Sequence, residues 1–200
     1  CYQNMFKDCT SLVNAPALPA TILEFGCYGG MFSGCTSLTT APELPATTLA
    51  DYCYQNMFKD CTSLVNAPAL PATTLAQYCY QNMFYNCTAL VTAPALPATT
   101  LSTWCYYWMF YNCTSLTTAP ELPATTLTYQ CYGYMFMNCS KLNYVKAMFT
   151  TDPSSGSYID GWLDDVSTTG TFVKNASATW TNEQAKIPTG WTVQTARPDK

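Results

Sequence analysis

A stretch of 26 residues returns six times in this chain, beginning at Cys1, Cys27, Cys53, Cys79, Cys105 and Cys131. The third copy reads CYQNMFKDCTSLVNAPALPATTLAQY, from Cys53 to Tyr78, and the first is nearly identical to it. A period between about 20 and 50 residues marks a solenoid, a propeller or an array, because one copy is too small to bury its own apolar face. Such a chain offers a surface repeated along an axis, which fits binding or display better than catalysis.

On a helical wheel at about 100° per residue, Cys53, Tyr54, Met57, Phe58 and Cys61 share one side, while Gln55, Asn56, Lys59 and Asp60 share the other. That division predicts a short amphipathic helix packed on the core. The eighth position is Asp8, Gly34, Asp60, Asn86, Asn112 and Asn138. These types tolerate left-handed backbone best, so the helix is expected to stop there after about two turns. In the T-S-L-x-x-A-P-x-L-P-A-x-x-L run that follows, Leu64, Ala67, Leu70 and Leu75 supply inward residues, and residues 63–66 are the candidate strand. Pro68 and Pro71 cannot donate to a ladder, so the strand gives way to extended chain. Stacking puts Leu on Leu and Phe on Phe, and at about 4.8 Å per coil the body is roughly 25–30 Å long.

The sixth copy departs from the pattern after Leu142, reading NYVKAMF with Val145 and Met148 kept in step. Beyond Phe149 there are no cysteines. The tail holds a candidate helix over residues 158–166 and two β-like runs, Thr171-Phe172-Val173 and Trp191-Thr192-Val193, with turns at Pro153-Ser154-Ser155-Gly156 and Pro188-Thr189-Gly190. A solenoid end exposes apolar columns, so residues 150–200 read as a C-terminal cap on a repeat domain of residues 1–149, with Trp162, Trp180 and Trp191 as its bulk.

The twelve cysteines occur only as C-x7-C. In a helix, Cys53 and Cys61 would sit about 12 Å apart along the axis, too far for a disulfide. Neighbouring copies joined as packed helices would be about 8–10 Å apart, again too far. Buried free thiols acting as small hydrophobes are the expectation. Zinc is disfavoured, since there is no C-x2-C pair and no histidine. Charged residues make up 10% of the chain, and eight scattered Lys and Arg form no basic stripe, which argues against nucleic acid. Proline interrupts every copy, so no apolar run reaches the ~18 residues of a spanning helix. The chain starts inside a repeat, and it reads as a mature fragment whose N-terminal signal has been removed.

The segment M-F-x-x-C-T-S-L, at residues 57–64, resembles the A-F-x-x-C-x-x-L core of BspA-like leucine-rich repeats. The A-P-x-L-P-A-T-T-L run resembles a longer variant of that repeat in surface proteins of gut Bacteroides-type bacteria, and GTFVKN…WT…IPTGWTVQTA (170–196) resembles the segment closing such arrays. The resemblance implies an α/β solenoid of leucine-rich-repeat type. Its right-handed stack would hold six 26-residue coils, each a short strand plus a short helix, with a C-terminal cap. A 26-residue unit is longer than the family's commoner one of about 23, so the convex side is either a helix or an irregular turn. The resemblance also implies a secreted or surface-anchored protein, with relatives proposed as adhesins.

Catalysis finds little support. There is no histidine base, and Glu43 and Glu121 lie three coils apart, about 14 Å, beyond the reach of a paired-carboxylate mechanism. Asp164-Asp165 reads as a solvated helix or turn, and no cofactor motif is present. The candidate site is where the copies differ. The outward positions that read Gln55, Asn56 and Lys59 in copy three become Tyr107, Trp108 and Tyr111 in copy five. Tyr85 in copy four, and Tyr134 with Met137 in copy six, extend the change. Tyr52, Tyr78, Trp104 and Tyr129 lie at the entrance to the same segments. Such a ridge would stack sugars or anchor a protein, and the competing reading is that the rings pack on one another, on the cap, or against a neighbouring molecule in a crystal or dimer. The Thr pairs (Thr47-Thr48, Thr73-Thr74, Thr99-Thr100, Thr125-Thr126) read as turn formers, since adjacent threonines point in different directions. The Asn-Cys-Thr triplets at Asn86 and Asn112 match the glycosylation sequon but recur only because the repeat does. The expected function is a non-enzymatic extracellular or outer-surface module. It would bind a protein or carbohydrate on host or neighbouring cells through Tyr85, Trp104, Tyr107, Trp108, Tyr111 and Tyr134. A passive spacer that self-associates end to end is the alternative.

Overall fold

The computed structural model of the protein describes residues 2–197; Cys1 lies outside them. The segment expected to be helical is a run of turns instead. In copy three, Gln55, Met57, Lys59 and Cys61 donate their N–H groups three residues back, to Tyr52, Tyr54, Asn56 and Phe58, at 3.1–3.2 Å. The alternate residues turn outward along the stack: the N–H groups of Tyr54, Asn56, Phe58 and Asp60 reach the carbonyls of Cys79, Gln81, Met83 and Tyr85 in the next copy, at 2.8–3.0 Å. Half of the donors thus close turns and half bind neighbouring coils. A helix would have kept all of them within the segment.

This conformation demands left-handed backbone at every fourth residue. Asn56 and Asp60 have φ of 57° and 61°, each at the third position of a hydrogen-bonded turn, the geometry of type II. The expected left-handed residue at position eight is therefore present in all six copies, as Asp8, Gly34, Asp60, Asn86, Asn112 and Asn138. Position four and the last position of the preceding copy repeat it.

Inside and outside nevertheless fall where the pattern placed them. Cys53, Tyr54, Met57, Phe58, Cys61 and Leu64 are buried, and Gln55, Asn56, Lys59 and Asp60 are half-exposed. Equivalent residues form columns: Phe6, Phe32, Phe58, Phe84, Phe110 and Phe136 stack with ring centroids 5.6–5.7 Å apart. A parallel tyrosine column runs from Tyr2 through Tyr28, Tyr54, Tyr80 and Tyr106 to Tyr132. Each fully buried ring contributes about 1.5–3 kcal/mol relative to exposure.

The candidate strand at residues 63–66 shrinks to a single bridging residue, Asn66, which pairs in parallel with Thr40 and Thr92. Prolines two residues on remove the donors a longer ladder would need. Of the Thr pairs, Thr48, Thr74 and Thr100 each carry one such bridge, and all three are exposed.

True strands appear at the C-terminal end: β1 (Tyr144–Ala147), β2 (Gly170–Lys174) and β3 (Trp191–Thr195), parallel and in the order β1-β2-β3. Of the two β-like runs of the tail, Thr171-Phe172-Val173 is the centre of β2 and Trp191-Thr192-Val193 the first three residues of β3. Val145 is buried as expected, but Ala147 and Phe149, rather than Met148, continue the inward face. The register Tyr144↔Thr171↔Thr192 prolongs the line of bridges that runs through Thr118. Residues 158–166 are not helical. Their carbonyls at Tyr158, Asp160, Trp162 and Asp164 accept from the N–H groups of Tyr132, Tyr134, Phe136 and Asn138, so the tail supplies one more rung of the turn ladder. A 3-10 turn, Pro153–Ser155, is capped by the Asp152 side chain. Trp162, Trp180 and Trp191 are buried, and their indole N–H groups donate to Ala185, Phe149 and Ser167 carbonyls. No helix among the described residues is long and apolar enough to cross a membrane.

The ninth-position cysteines have a structural role that their spacing did not show. From copy two onward each donates its S–H to the phenylalanine carbonyl of the preceding coil: Cys35 to Phe6, Cys61 to Phe32, Cys87 to Phe58, Cys113 to Phe84 and Cys139 to Phe110, at 3.0–3.2 Å. Burial pushes the Cys61 and Cys139 thiols up to about 12, which keeps the donors protonated. The helix-spacing argument against bridges between copies falls away, because the coils approach to a strand-like distance. Cys9 is exposed and Cys27 half-buried, both near the first coil.

Candidate functional site

On the turn face of the middle copies, left-handed amides form ladders along the axis. Asn82 Nδ2 donates to Asn56 Oδ1 at 2.9 Å, Asn86 Nδ2 to Asp60 Oδ1 at 3.0 Å, and Asn112 Nδ2 to Asn86 Oδ1 at 2.7 Å. Gln55 Nε2 donates to Gln81 Oε1 in the same way. Asparagine suits both tasks, adopting positive φ at low cost and presenting a donor and an acceptor.

Copies five and six break these ladders. Trp108 stands where the next amide of the Asn56–Asn82 column would be, and Asn82 Oδ1 is left buried with no hydrogen-bond partner. Trp108 Nε1 is likewise buried and unpaired. Tyr111 diverts the eighth-position ladder, since Asn138 Nδ2 donates to its hydroxyl at 2.9 Å. Bulky residues take over the left-handed backbone as well: Trp104 has φ 61°, Trp108 54° and Tyr134 53°, after Tyr52 at 61° and Tyr78 at 56°. Positive φ in a bulky residue is rare and costs on the order of 1–3 kcal/mol each.

The six candidate residues do come together, and each is half-exposed. Tyr85 stacks on Tyr111 at 4.5 Å with Lys59 Nζ 4.9 Å from the centre of its ring. Trp108 stacks on Tyr107 at 5.0 Å and meets Tyr85, Tyr111 and Tyr134 at 5.8–6.0 Å. Trp104 meets Tyr107 edge-on at 4.4 Å, and Tyr107 meets Tyr134 edge-on at 5.6 Å. The rings pack on one another, as the competing reading holds, and still leave an aromatic surface open to solvent. The surface extends further than the six, through Tyr78 and Tyr52 to Phe25 on one side and to Tyr129 beside Trp104 on the other. Phe25, 70% exposed, gave no sequence signal because its equivalents are Asp51, Gln77, Thr103 and Tyr129.

Two glycines seat this surface. A Cβ at Gly133 would come within 2.8 Å of the Tyr107 ring, and one at Gly161 within 2.5 Å of the Tyr134 ring. Both rings therefore pack closely against backbone where only glycine leaves room. The Tyr134 N–H donates to the Asp160 carbonyl at 2.7 Å, and Gln130 Nε2 donates to Asp160 Oδ2 at 2.8 Å. Asp160 thereby joins the aromatic surface to a polar cleft of about 560 Å³ in the cap, lined by Ser154, Ser157, Asp160, Glu183, Gln184 and Lys186 among others. Lys186 Nζ lies 3.2 Å from Asp160 Oδ1. Partial burial works against the Asp160 charge, but the Gln130 and Lys186 bonds outweigh it and hold the carboxyl below its usual range. The cleft draws on residues distant in sequence and outside the repeat, so no periodic signal marked it.

No curated protein and no solved structure matches the chain. The family described as BspA type leucine rich repeat region matches in six copies, over residues 1–107 and 74–155. Those spans cover the repeats and the start of the cap, and the chain belongs to the BspA-type leucine-rich-repeat family.

Proposed function

We propose that this protein is a non-enzymatic binding or adhesion module displayed at a cell surface. Its ligand is a protein or glycan on host or neighbouring cells, and it docks on the aromatic surface of copies four to six. One observation carries the reading: where copies three and four place low-cost amides, copies five and six place strained aromatics that orphan Asn82 Oδ1 and Trp108 Nε1. A passive spacer gains nothing from that exchange. Backbone strain concentrates where function maintains it, and half-exposed tryptophan and tyrosine are the residues that dominate binding energy. Membership of a repeat family often used for adhesion and protein binding supports the same class.

The test is retention of the protein on immobilised host matrix proteins and glycans, with and without Tyr107→Ala plus Trp108→Ala. Loss of retention with an unchanged circular-dichroism spectrum is expected. Retention equal to the parent's removes the aromatic surface as the site.

A further inference from the structure

The repeat sets equivalent rings one above another, and two tyrosine pairs stand closer than the other tyrosine stacks. Tyr52 and Tyr78 hold the last position of copies two and three, with ring centroids 4.5 Å apart and planes 9° from parallel. Tyr85 and Tyr111 hold the seventh position of copies four and five, at 4.5 Å and 13°. All four rings are half-exposed. The main chain fixes the register beside each pair: the Tyr52 N–H donates to the Gln77 carbonyl at 3.0 Å, and the Asn86 N–H to the Tyr111 carbonyl at 2.8 Å. Nearly parallel rings on equivalent backbone bring hydroxyl beside hydroxyl, and the ring carbons next to them face each other. The phenols register that contact. Partial burial, and then the neighbouring Tyr52, raise Tyr78 above its usual range, as burial and Tyr111 raise Tyr85.

The buried tyrosine column has no such opening. From Tyr28 to Tyr132 its rings stand 5.8–6.0 Å apart, and the hydroxyls of Tyr54, Tyr80 and Tyr132 are sealed from solvent with no partner to take a proton. We propose that Tyr52–Tyr78 and Tyr85–Tyr111 are oxidative cross-linking sites, each forming a dityrosine bond when a peroxidase-type oxidant acts with hydrogen peroxide. Each phenol gives up one electron and its O–H proton. The two phenoxyl radicals join at the carbons ortho to their hydroxyls, and the hydrogens on those carbons move to the oxygens as the rings regain aromaticity. Hydrogen peroxide takes the two electrons and two protons and is reduced to two molecules of water. The stack supplies in advance the encounter that free phenols reach only by diffusion. Each link closes a loop of one 26-residue period and restricts the unfolded chain, so it staples neighbouring coils together. The Tyr52–Tyr78 pair lies outside the six residues of the docking surface, so this inference stands apart from the ligand reading.

Dilute protein, with the exposed Cys9 thiol alkylated first, is treated with a haem peroxidase and limiting hydrogen peroxide. Dityrosine emission is expected in the monomer fraction after gel filtration. Mass spectrometry of digests is expected to join the peptides holding Tyr52 and Tyr78, and those holding Tyr85 and Tyr111, each pair lighter by two hydrogens. Tyr78→Phe with Tyr85→Phe keeps the stacked rings but removes one phenol from each pair, and loss of the monomer emission is expected. The cross-linked monomer should unfold at a higher urea concentration than the untreated protein. The proposal is overturned by emission confined to dimers coupled through exposed tyrosines such as Tyr129, or by links within the monomer that map to other tyrosines. Undiminished emission from the double variant, an unshifted urea midpoint, or no dityrosine at all overturns it equally.

Discussion

Copies three and five share a backbone and differ on its outer side. In copy three the N–H groups of Tyr54, Asn56, Phe58 and Asp60 bond the next coil; in copy five Tyr106, Trp108, Phe110 and Asn112 do the same, at 2.9–3.1 Å. Beneath them Phe58 and Phe110 are equally buried, and Cys61 and Cys113 make the same thiol bond. Above them, one copy presents paired amides and the other a sheet of rings. The scaffold is therefore indifferent to its outer residues to a degree that a helix surface, with its side-chain crowding against the preceding turn, is not. Cross-coil bonding by the main chain carries the fold, which frees the turn face for other work even at some cost in strain.

If the core is the same under both faces, Phe58→Ala and Phe110→Ala lose about the same stability, in the range of about 3–5 kcal/mol each. Urea unfolding of the two variants checks this. A difference of more than about 1 kcal/mol would show that the aromatic surface is part of the packing beneath it.

A smaller effect sharpens the same point. Cys61→Ser, under the amide face, and Cys139→Ser, under the aromatic one, each bury a hydroxyl in place of a thiol that bonds a neighbouring carbonyl. Each is expected to cost about 1–3 kcal/mol. The thiols also set a pH limit. The Cys61 thiol is raised from an ordinary value of 9.0 to about 12 by burial, so its folded form stays neutral where the unfolded form ionises. Burial raises Tyr54, Tyr80, Tyr106 and Tyr132 in the same direction. This contribution is complete below pH 9.0 and disappears as pH rises towards 12. The urea midpoint should be flat up to that lower bound and fall steeply beyond it. An alkaline midpoint that stays flat would mean the thiols and phenols are solvated.

The inward and outward sides were legible because CYQNMFKDC alternates two apolar with two polar residues. A period of four lies close to the 3.6 of a helix, and over nine residues a wheel cannot separate them. What distinguishes them is the residue type on the period: Asn56 and Asp60, like Asn82 and Asn86, stand four apart, where left-handed backbone is required. At position eight that signal predicts left-handed backbone; at position four the wheel hides it. The strand at residues 63–66 failed because a β-like composition does not supply a donor where proline follows at once. In the tail, the pattern of residues 158–166 predicts a helix, and the same near-match of periods again resolves into turns laddered onto the previous coil. The aromatic patch was found by comparing copies, since a deviation from a repeat is visible without any structure. Its connection to the cap cleft was not, because Asp160, Glu183 and Gln184 meet only through the folding of the tail.

Trp108 and its neighbours lie on a fold that does not need them. Equilibrium unfolding of Trp108→Asn measures this most directly. The substitution relaxes a left-handed tryptophan and offers Asn82 Oδ1 a donor, so a midpoint at or above the parent's is predicted, together with loss of ligand retention. A loss of about 2 kcal/mol or more, with retention unchanged, would make the ring a structural element and contradict the account.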